Sequence, residues 1–286
     1  MTDVKLAADE TVVEENRDPT WLGLTLDGWV RILAPTIIGI IALGAWEWTV
    51  RANAIPPYIL PGPILVAQTL VRDWHSLSIS LIITLQITFA ALFMAAVLGL
   101  AIAVLFAQSR AVELSLFPYA VILQVTPIVA IAPLIIIYVD DVRLVLLICA
   151  WIVAFFPILS NTTLGLNSAD QNLTDLFRMY RANRWQVLMR LRLPTAMPYF
   201  LAGLRISGGL ALIGAIVAEF VAGTGGRASG LAYRILEAGF NLQIPRMFAA
   251  LVLISLTGIA IFGVLSLISH LALRHWHESA ISRDRR

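Results

Sequence analysis

The chain contains one lysine, Lys5, and one cysteine, Cys149. Each scarcity excludes something. A Walker-type phosphate loop needs a lysine beside its last glycine. Lys5 lies in a polar amino-terminal stretch, so this chain cannot supply such a loop. The glycine-rich run Gly223-Thr224-Gly225-Gly226-Arg227-Ala228-Ser229-Gly230 therefore reads as a turn. A lone cysteine forms no intrachain disulfide, and Cys149 sits in an apolar run as a small hydrophobe. Charge is scarce too. Charged residues make up 13% of the 286 positions, against about 25% in soluble domains, and 59% are hydrophobic. These proportions point to a polytopic membrane protein. A net charge of +2 is too small to argue for nucleic acid. No Ser/His/Asp, paired-carboxylate or Cys/His set is visible, so no covalent catalysis is expected. His275-Trp276-His277-Glu278 offers two histidines without a third ligand at zinc spacing, so no metal site is expected.

What the chain has is long apolar runs. Residues 1–30 form an acidic, run-free tail that ends in an aromatic-rich approach including Trp21 and Trp29. A membrane core takes about 20 apolar residues as a helix. The first candidate is Ile32–Val50, with Pro35 in its first turn, where proline is tolerated. The prolines of Ala54–Pro63 forbid regular helix and mark an external loop. Trp74–Ser109 carries no acid, lysine or arginine and predicts one long helix over about Ser78–Phe106. Arg110 and Glu113 mark a short internal loop. A third span, about Val121–Val139, contains Pro127 and Pro133. The carbonyls that these prolines free need protein or water, so this span is expected to face the bundle interior. The fourth span is Leu144–Leu166, the fifth about Tyr199–Phe220 and the sixth about Met247–Leu273. Gly203, Ser207, Gly208, Gly209 and Gly214 in the fifth allow close helix approach. The fold class is thus all-α, a polytopic membrane protein of about six spans over residues 31–273, followed by a basic tail at 274–286. Arginine bias across the short loops favours both termini inside the cell.

The longest polar interruption, residues 167–197, separates two apolar runs. Asp170–Pro198 holds Arg178, Arg181, Arg184, Arg190 and Arg192 against Asp170 and Asp175, with apolar residues at helical spacing. Asn183 suits an N-cap for a helix over 184–193 that Pro194 follows, Pro198 can open the fifth span at its first turn, and an earlier helix is expected over 173–180. Arg181-Ala182-Asn183 would make an exposed corner. A structured basic element between spans calls for a partner, or for anionic headgroups, to explain it.

The spacing of this element resembles the loop of ABC-importer permeases: Glu-Ala-Ala, three residues, Gly, nine residues, Ile, one residue, Leu-Pro. Leu193-Pro194 matches, Leu191 stands at the Ile, Asp175 at the Glu and Arg181 at the Gly. Leu176, Phe177 and Arg181 depart from the pattern. The text that follows, Leu193 to Gly226, resembles the nitrate, sulfonate, taurine and pyrimidine-precursor branch, and Tyr180–Gly223 is most similar to its heterocycle members. The resemblance covers roughly Pro56 to Leu273.

It implies a type I importer-like permease in a bacterial inner (plasma) membrane, working as a homodimer. Two cytoplasmic ATP-binding subunits and an extracytoplasmic solute-binding protein would be its partners. No cofactor is expected on this chain; ATP and Mg would sit on the partner ATPase. Phe177, Met179 and Tyr180 would fill a groove on that subunit, and Asp175 would meet a basic partner. An arginine in place of the glycine implies either a different turn or an acidic contact for Arg181.

Ionisable groups inside spans are costly and usually functional. Glu219, near the outer end of the fifth span, either lines the substrate path with Gln86, Gln124 and Thr126, or pairs at the interface with Arg227 or Arg234. The rival class is an ion-coupled secondary transporter, which needs buried coupling groups and often an internal repeat; none is clear.

Overall fold

The computed structural model describes residues 26–223 and 229–274, with side chains from Leu33 onward. The histidine cluster at 275–277, Lys5 and Arg227 lie outside the described residues. All regular structure among the described residues is helical.

Helix α1, Leu26–Ala52, belongs to a unit ending at Ile55; Pro56–Arg286 forms the other. Pro35 lies inside α1, not in its first turn as expected, because the helix starts six residues before Ile32. Arg51 pairs with Glu47 one turn back at 2.6 Å.

In the second unit the proline-rich loop leads into a helix that was not foreseen. Pro63 opens α2 (Pro63–Arg72) at its first position, where a missing N–H is harmless. Val66 of α2 is buried and packs in a cluster with Leu77, Leu253 and Ile254. Helix α3 then runs from Trp74 to Gln108, a 35-residue helix that extends the expected span at both ends.

Two expectations fail at the next step. Arg110 and Glu113 do not form a loop. They are the first turn of α4 (Arg110–Val125), paired at 2.8 Å, with Ser109 alone separating α4 from α3. Nor is the third span continuous. α4 and α5 (Ile128–Tyr138) are bent by 99° about Thr126-Pro127. The residue before a proline is driven out of the α region, and Thr126 sits at φ −73°, ψ 124°. Pro118 and Pro133, by contrast, are carried inside helices. In the single chain α4 has no buried residue and α5 only Ala132, so the interior position expected of this span is not seen.

Helix α6 (Val142–Asn167) is N-capped by Asp141, which accepts from the Arg143 N–H at 2.9 Å. After α6 come α7 (Gln171–Met179) and the single turn α8 (Arg184–Val187). A π turn, Leu188–Arg192, leads straight into α9 (Leu193–Ala222). Pro194 does not end the helix and Pro198 does not open the next: residues 184–222 are helical throughout. A proline clashes with the carbonyl four residues back, and the wider π turn lies where that clash would fall. Short α10 (Leu231–Phe240) and long α11 (Ile244–Leu273) complete the fold. Among the described residues five helices are long and apolar enough to cross a membrane, or six if the bent α4–α5 pair counts as one.

α6 is the centre, packed against α9 and α3. Phe106, Phe155, Ile158, Leu159 and Leu212 are buried between them. Small residues set the spacing. A Cβ on Gly214 would lie 2.9 Å from the Ala150 Cα, and one on Gly203 would lie 2.8 Å from the Pro157 carbonyl oxygen. The Ser207 hydroxyl donates to the Ala154 carbonyl at 2.6 Å. Gly209 differs, with nothing within 4 Å of its added Cβ. Gly214→Leu is therefore expected to force α6 and α9 apart at about 1–3 kcal/mol. Thermal unfolding in detergent reads this, with Gly209→Ala close to neutral; equal effects would contradict the packing. Exposed side chains on α3 and α11, such as Phe93, Ile259 and Phe262, are apolar, as a lipid-facing surface requires.

Candidate functional site

The element between α6 and α9 is rigidly built. Asp170 caps α7 by accepting from the Asn172 N–H at 2.7 Å. α7 closes in a Schellman arrangement: Ala182 N–H donates to Phe177 O, and Arg181 N–H to Arg178 O, both at 2.9 Å. Asn183 then makes a reciprocal capping box with Gln186, each donating a backbone N–H to the other's side chain at 2.8 Å. The expected N-cap and corner are both present.

Arg181 answers the question posed by its register. Its φ is +50°, the left-handed region that glycine prefers. The turn geometry is the one a glycine would give, held here by an arginine. A non-glycine residue in this region costs roughly 1–2 kcal/mol. Arg181→Gly should stabilise the assembled protein by about 0.5–1 kcal/mol, since glycine's extra unfolded-state freedom offsets part of the relief. A fall in unfolding temperature would contradict this.

The candidate residues on this element divide into two sets. Met179 and Tyr180 are 81% and 80% exposed, and Leu176, Trp185 and Met189 are exposed beside them. Half-buried Phe177 joins Leu176, Tyr180, Ala182, Gln186 and Arg190 in lining a groove of about 340 Å³. Exposed apolar sets of this kind are a common mark of interaction surfaces. Leu191, Leu193 and Pro194 do not belong to that face. Leu191 is buried and Leu193 packs against the core cluster that includes Leu188. They anchor the element, as does Arg192, whose Nη1 donates to the Ala107 carbonyl at 2.7 Å at the end of α3. Asp175 has an in-chain partner, Arg178 Nη1 at 3.0 Å, in a well-exposed pair.

The opposite end of α9 holds the second candidate. Glu219 is 1% exposed. Its Oε1 accepts from the Thr84 hydroxyl at 2.8 Å and its Oε2 from the Ala232 N–H at 2.9 Å. The Leu231 N–H donates to Thr84 Oγ1 at 2.9 Å. A buried carboxylate on α9 and a hydroxyl on α3 thus satisfy the first free N–H groups of α10. Gly230 is required here, because any Cβ would overlap the Glu219 carboxylate. The expected pairing with Arg227 lies outside the described residues. Arg234 bonds Ser80 Oγ at 3.0 Å and Glu237 at 2.8 Å. A cavity of about 260 Å³ reaches Glu219 past Asp140, Asp141 and Arg143, but the low exposure makes Glu219 its back wall, not a free ligand.

Sequence reading missed this network. The signal was a hydroxyl every fourth residue of α3: Ser76, Ser80, Thr84 and Thr88. The first three receive Arg246, Arg234 and the Leu231 N–H in turn, so one helical stripe holds the α10–α11 hairpin. Gln86 lies off that stripe, exposed, in a small cavity with Arg143. Gln124 is exposed on α4, and Thr126 returns its hydroxyl to the Ile122 carbonyl at 2.7 Å. Gln86 lies on α3, Gln124 on α4 and Glu219 on α9.

Comparison with known proteins identifies the whole. Residues 95–277 match the binding-protein-dependent transport system inner membrane component family. The chain belongs to that family. It is 32% identical over 79% of its length, and 90% of the relative's, to a probable ABC transporter permease protein of Haemophilus influenzae. It is 31% identical over 85% of its length to the formylaminopyrimidine transport permease protein ThiX of Halalkalibacterium halodurans, covering 96% of it. The riboflavin transport system permease protein RibX of Chloroflexus aurantiacus is 32% identical over 88% of this chain and 92% of its own. The fold is similar to that in a crystal structure of an amino acid ABC transporter with histidines: TM-score 0.59, 16% identity, 73% of this chain and 97% of that one. The protein is a transmembrane permease of an ABC importer, in the nitrate, sulfonate and pyrimidine branch, and a multi-pass inner-membrane component. Permeases of this family are non-catalytic; ATP is hydrolysed on a partner, and a solute-binding protein delivers the cargo.

Proposed function

We propose that this permease imports a small nitrogen heterocycle of the formylaminopyrimidine or flavin type, and that the α7–α8 corner transmits ATP-driven closure to the spans. The observation that carries the mechanism is the exposed face of Leu176, Met179, Tyr180 and Trp185 on an element whose other side is anchored in the core. Apolar anchors of this kind fill pockets on a partner. Arg192 on Ala107 and the unbroken helix from Arg184 to Ala222 would carry a push at the corner into α3 and α9 as rigid-body motion. Two permeases, two ATP-binding subunits holding ATP and Mg, and both termini on the cytoplasmic side with the corner complete the arrangement. The substrate class rests on two heterocycle permeases among the relatives; a sulfonate and several nitrate permeases are the competing readings. The ion-coupled alternative draws no support from the relatives, and each Glu219 oxygen already accepts a hydrogen bond.

Uptake of labelled formylaminopyrimidine, riboflavin, taurine and nitrate by cells with and without this chain tests the substrate. Loss of heterocycle uptake alone is expected. Loss of taurine or nitrate uptake instead would overturn the substrate class and leave the importer reading intact.

A further inference from the structure

Two clefts flank the α7–α8 corner, and their chemistry differs. The apolar groove faces the side of Tyr180. The second cleft, about 410 Å³, is lined by Arg178, Arg184 and Arg192 with Thr174 and Gln108, and no carboxylate is among its lining residues. Thr174 and Arg178 are one turn apart, so one face of α7 turns to this cleft while Leu176, Phe177 and Tyr180 turn to the groove.

The cleft has a defined height. Its floor includes Ala107 and Gln108, the last residues of a 35-residue apolar helix. The charged pair Arg110 and Glu113 follows α3 after one residue, and charged groups sit outside the hydrocarbon, so the cleft opens on the headgroup side of that end. The carbonyl end of α3 would repel an anion there. Arg192 removes that obstacle by donating Nη1 to the Ala107 carbonyl, and a guanidinium keeps four more N–H donors for other acceptors. Arg178 is shared with Asp175 outside the cleft; Arg184 is exposed at its rim. Arginine forks match phosphate oxygens in bidentate geometry.

We propose that this cleft binds the phosphate of an anionic phospholipid and holds the corner against the membrane face while the opposite, apolar side meets its protein partner. The lipid site needs the membrane placement of α3 and not the substrate; the partner on the opposite side rests on the docking reading proposed above.

The test uses the complete transport complex in nanodiscs of phosphatidylcholine, alone or mixed with phosphatidylglycerol, with retained lipid counted by native mass spectrometry. Wild type should retain phosphatidylglycerol selectively. Arg184→Gln should weaken retention roughly fivefold, about one basic residue's contribution near a charged surface. Gln108→Glu, which adds a carboxylate and leaves every arginine in place, should weaken it by a similar or larger factor. Equal retention by wild type and both variants would overturn the proposal. Displacement of the lipid by millimolar inorganic phosphate would make this a free-anion site instead. Retention by the permease alone but not by the assembled complex would assign the arginines to the protein interface, and the lipid reading would fail.

Discussion

Met179→Asp combined with Tyr180→Asp should leave the permease folded in the membrane and weaken its hold on the ATP-binding subunit by roughly a hundredfold or more. Interface aromatics commonly carry 2–4 kcal/mol each, and placing a carboxylate in an apolar pocket adds a desolvation penalty. Both side chains are about four-fifths exposed in the single chain, so nothing in the permease core depends on them. The readout is two-sided. Yield and unfolding temperature of the isolated permease should match wild type, while substrate-stimulated ATP hydrolysis by the reconstituted complex should fall close to background. A complex with normal coupling would show that this face is not where force enters.

Glu219→Ala should act at the other end, and through stability. It removes the acceptor for the Thr84 hydroxyl and for the Ala232 N–H in a site where Glu219 is 1% exposed. Bonds to a charged acceptor contribute about 1.5–3 kcal/mol each, although buried bonds between membrane helices average lower. A net loss of roughly 2–4 kcal/mol is expected. Glu219→Gln should be far milder: its carbonyl can still accept from Ala232 N–H, and its amide can donate to Thr84 Oγ1. Thermal unfolding of detergent-purified protein should therefore rank wild type, Gln, then Ala. If Gln proved as damaging as Ala, the negative charge and not the bonding pattern would be the requirement, and a transport role for the carboxylate would return.

The corner was legible because its signals are local. Asn183 followed by Gln186 three residues on is a capping box in sequence as in structure. The Leu-Pro register placed Arg181 at a glycine position, and its backbone does adopt glycine's conformation. What sequence reading could not supply was longer-ranged. Pro127 was expected inside a span and Pro194 and Pro198 at helix ends, yet the chain breaks at the first and threads the other two through a continuous helix. At Pro194 the carbonyl four residues back, on Arg190, lies in the π turn, a backbone adjustment with no residue signature. Glu219 stood out as a charge in an apolar run, but its partners are 135 residues upstream and 13 downstream, one of them a backbone N–H. The apolar face at Met179 and Tyr180 and the buried anchor at Leu191 share the same helical periodicity; only the packing of Leu188 and Leu191 against the core separates them.

The most direct measurement of the central claim is cysteine cross-linking in the intact complex. Cys149 is buried, so an introduced cysteine is the accessible one. Tyr180→Cys should cross-link to the ATP-binding subunit, with a yield that changes when ATP closes it. Leu242→Cys, 75% exposed in the α10–α11 turn at the other end of α9, should not. Cross-linking to the ATP-binding subunit from Leu242 and not from Tyr180 would contradict the account.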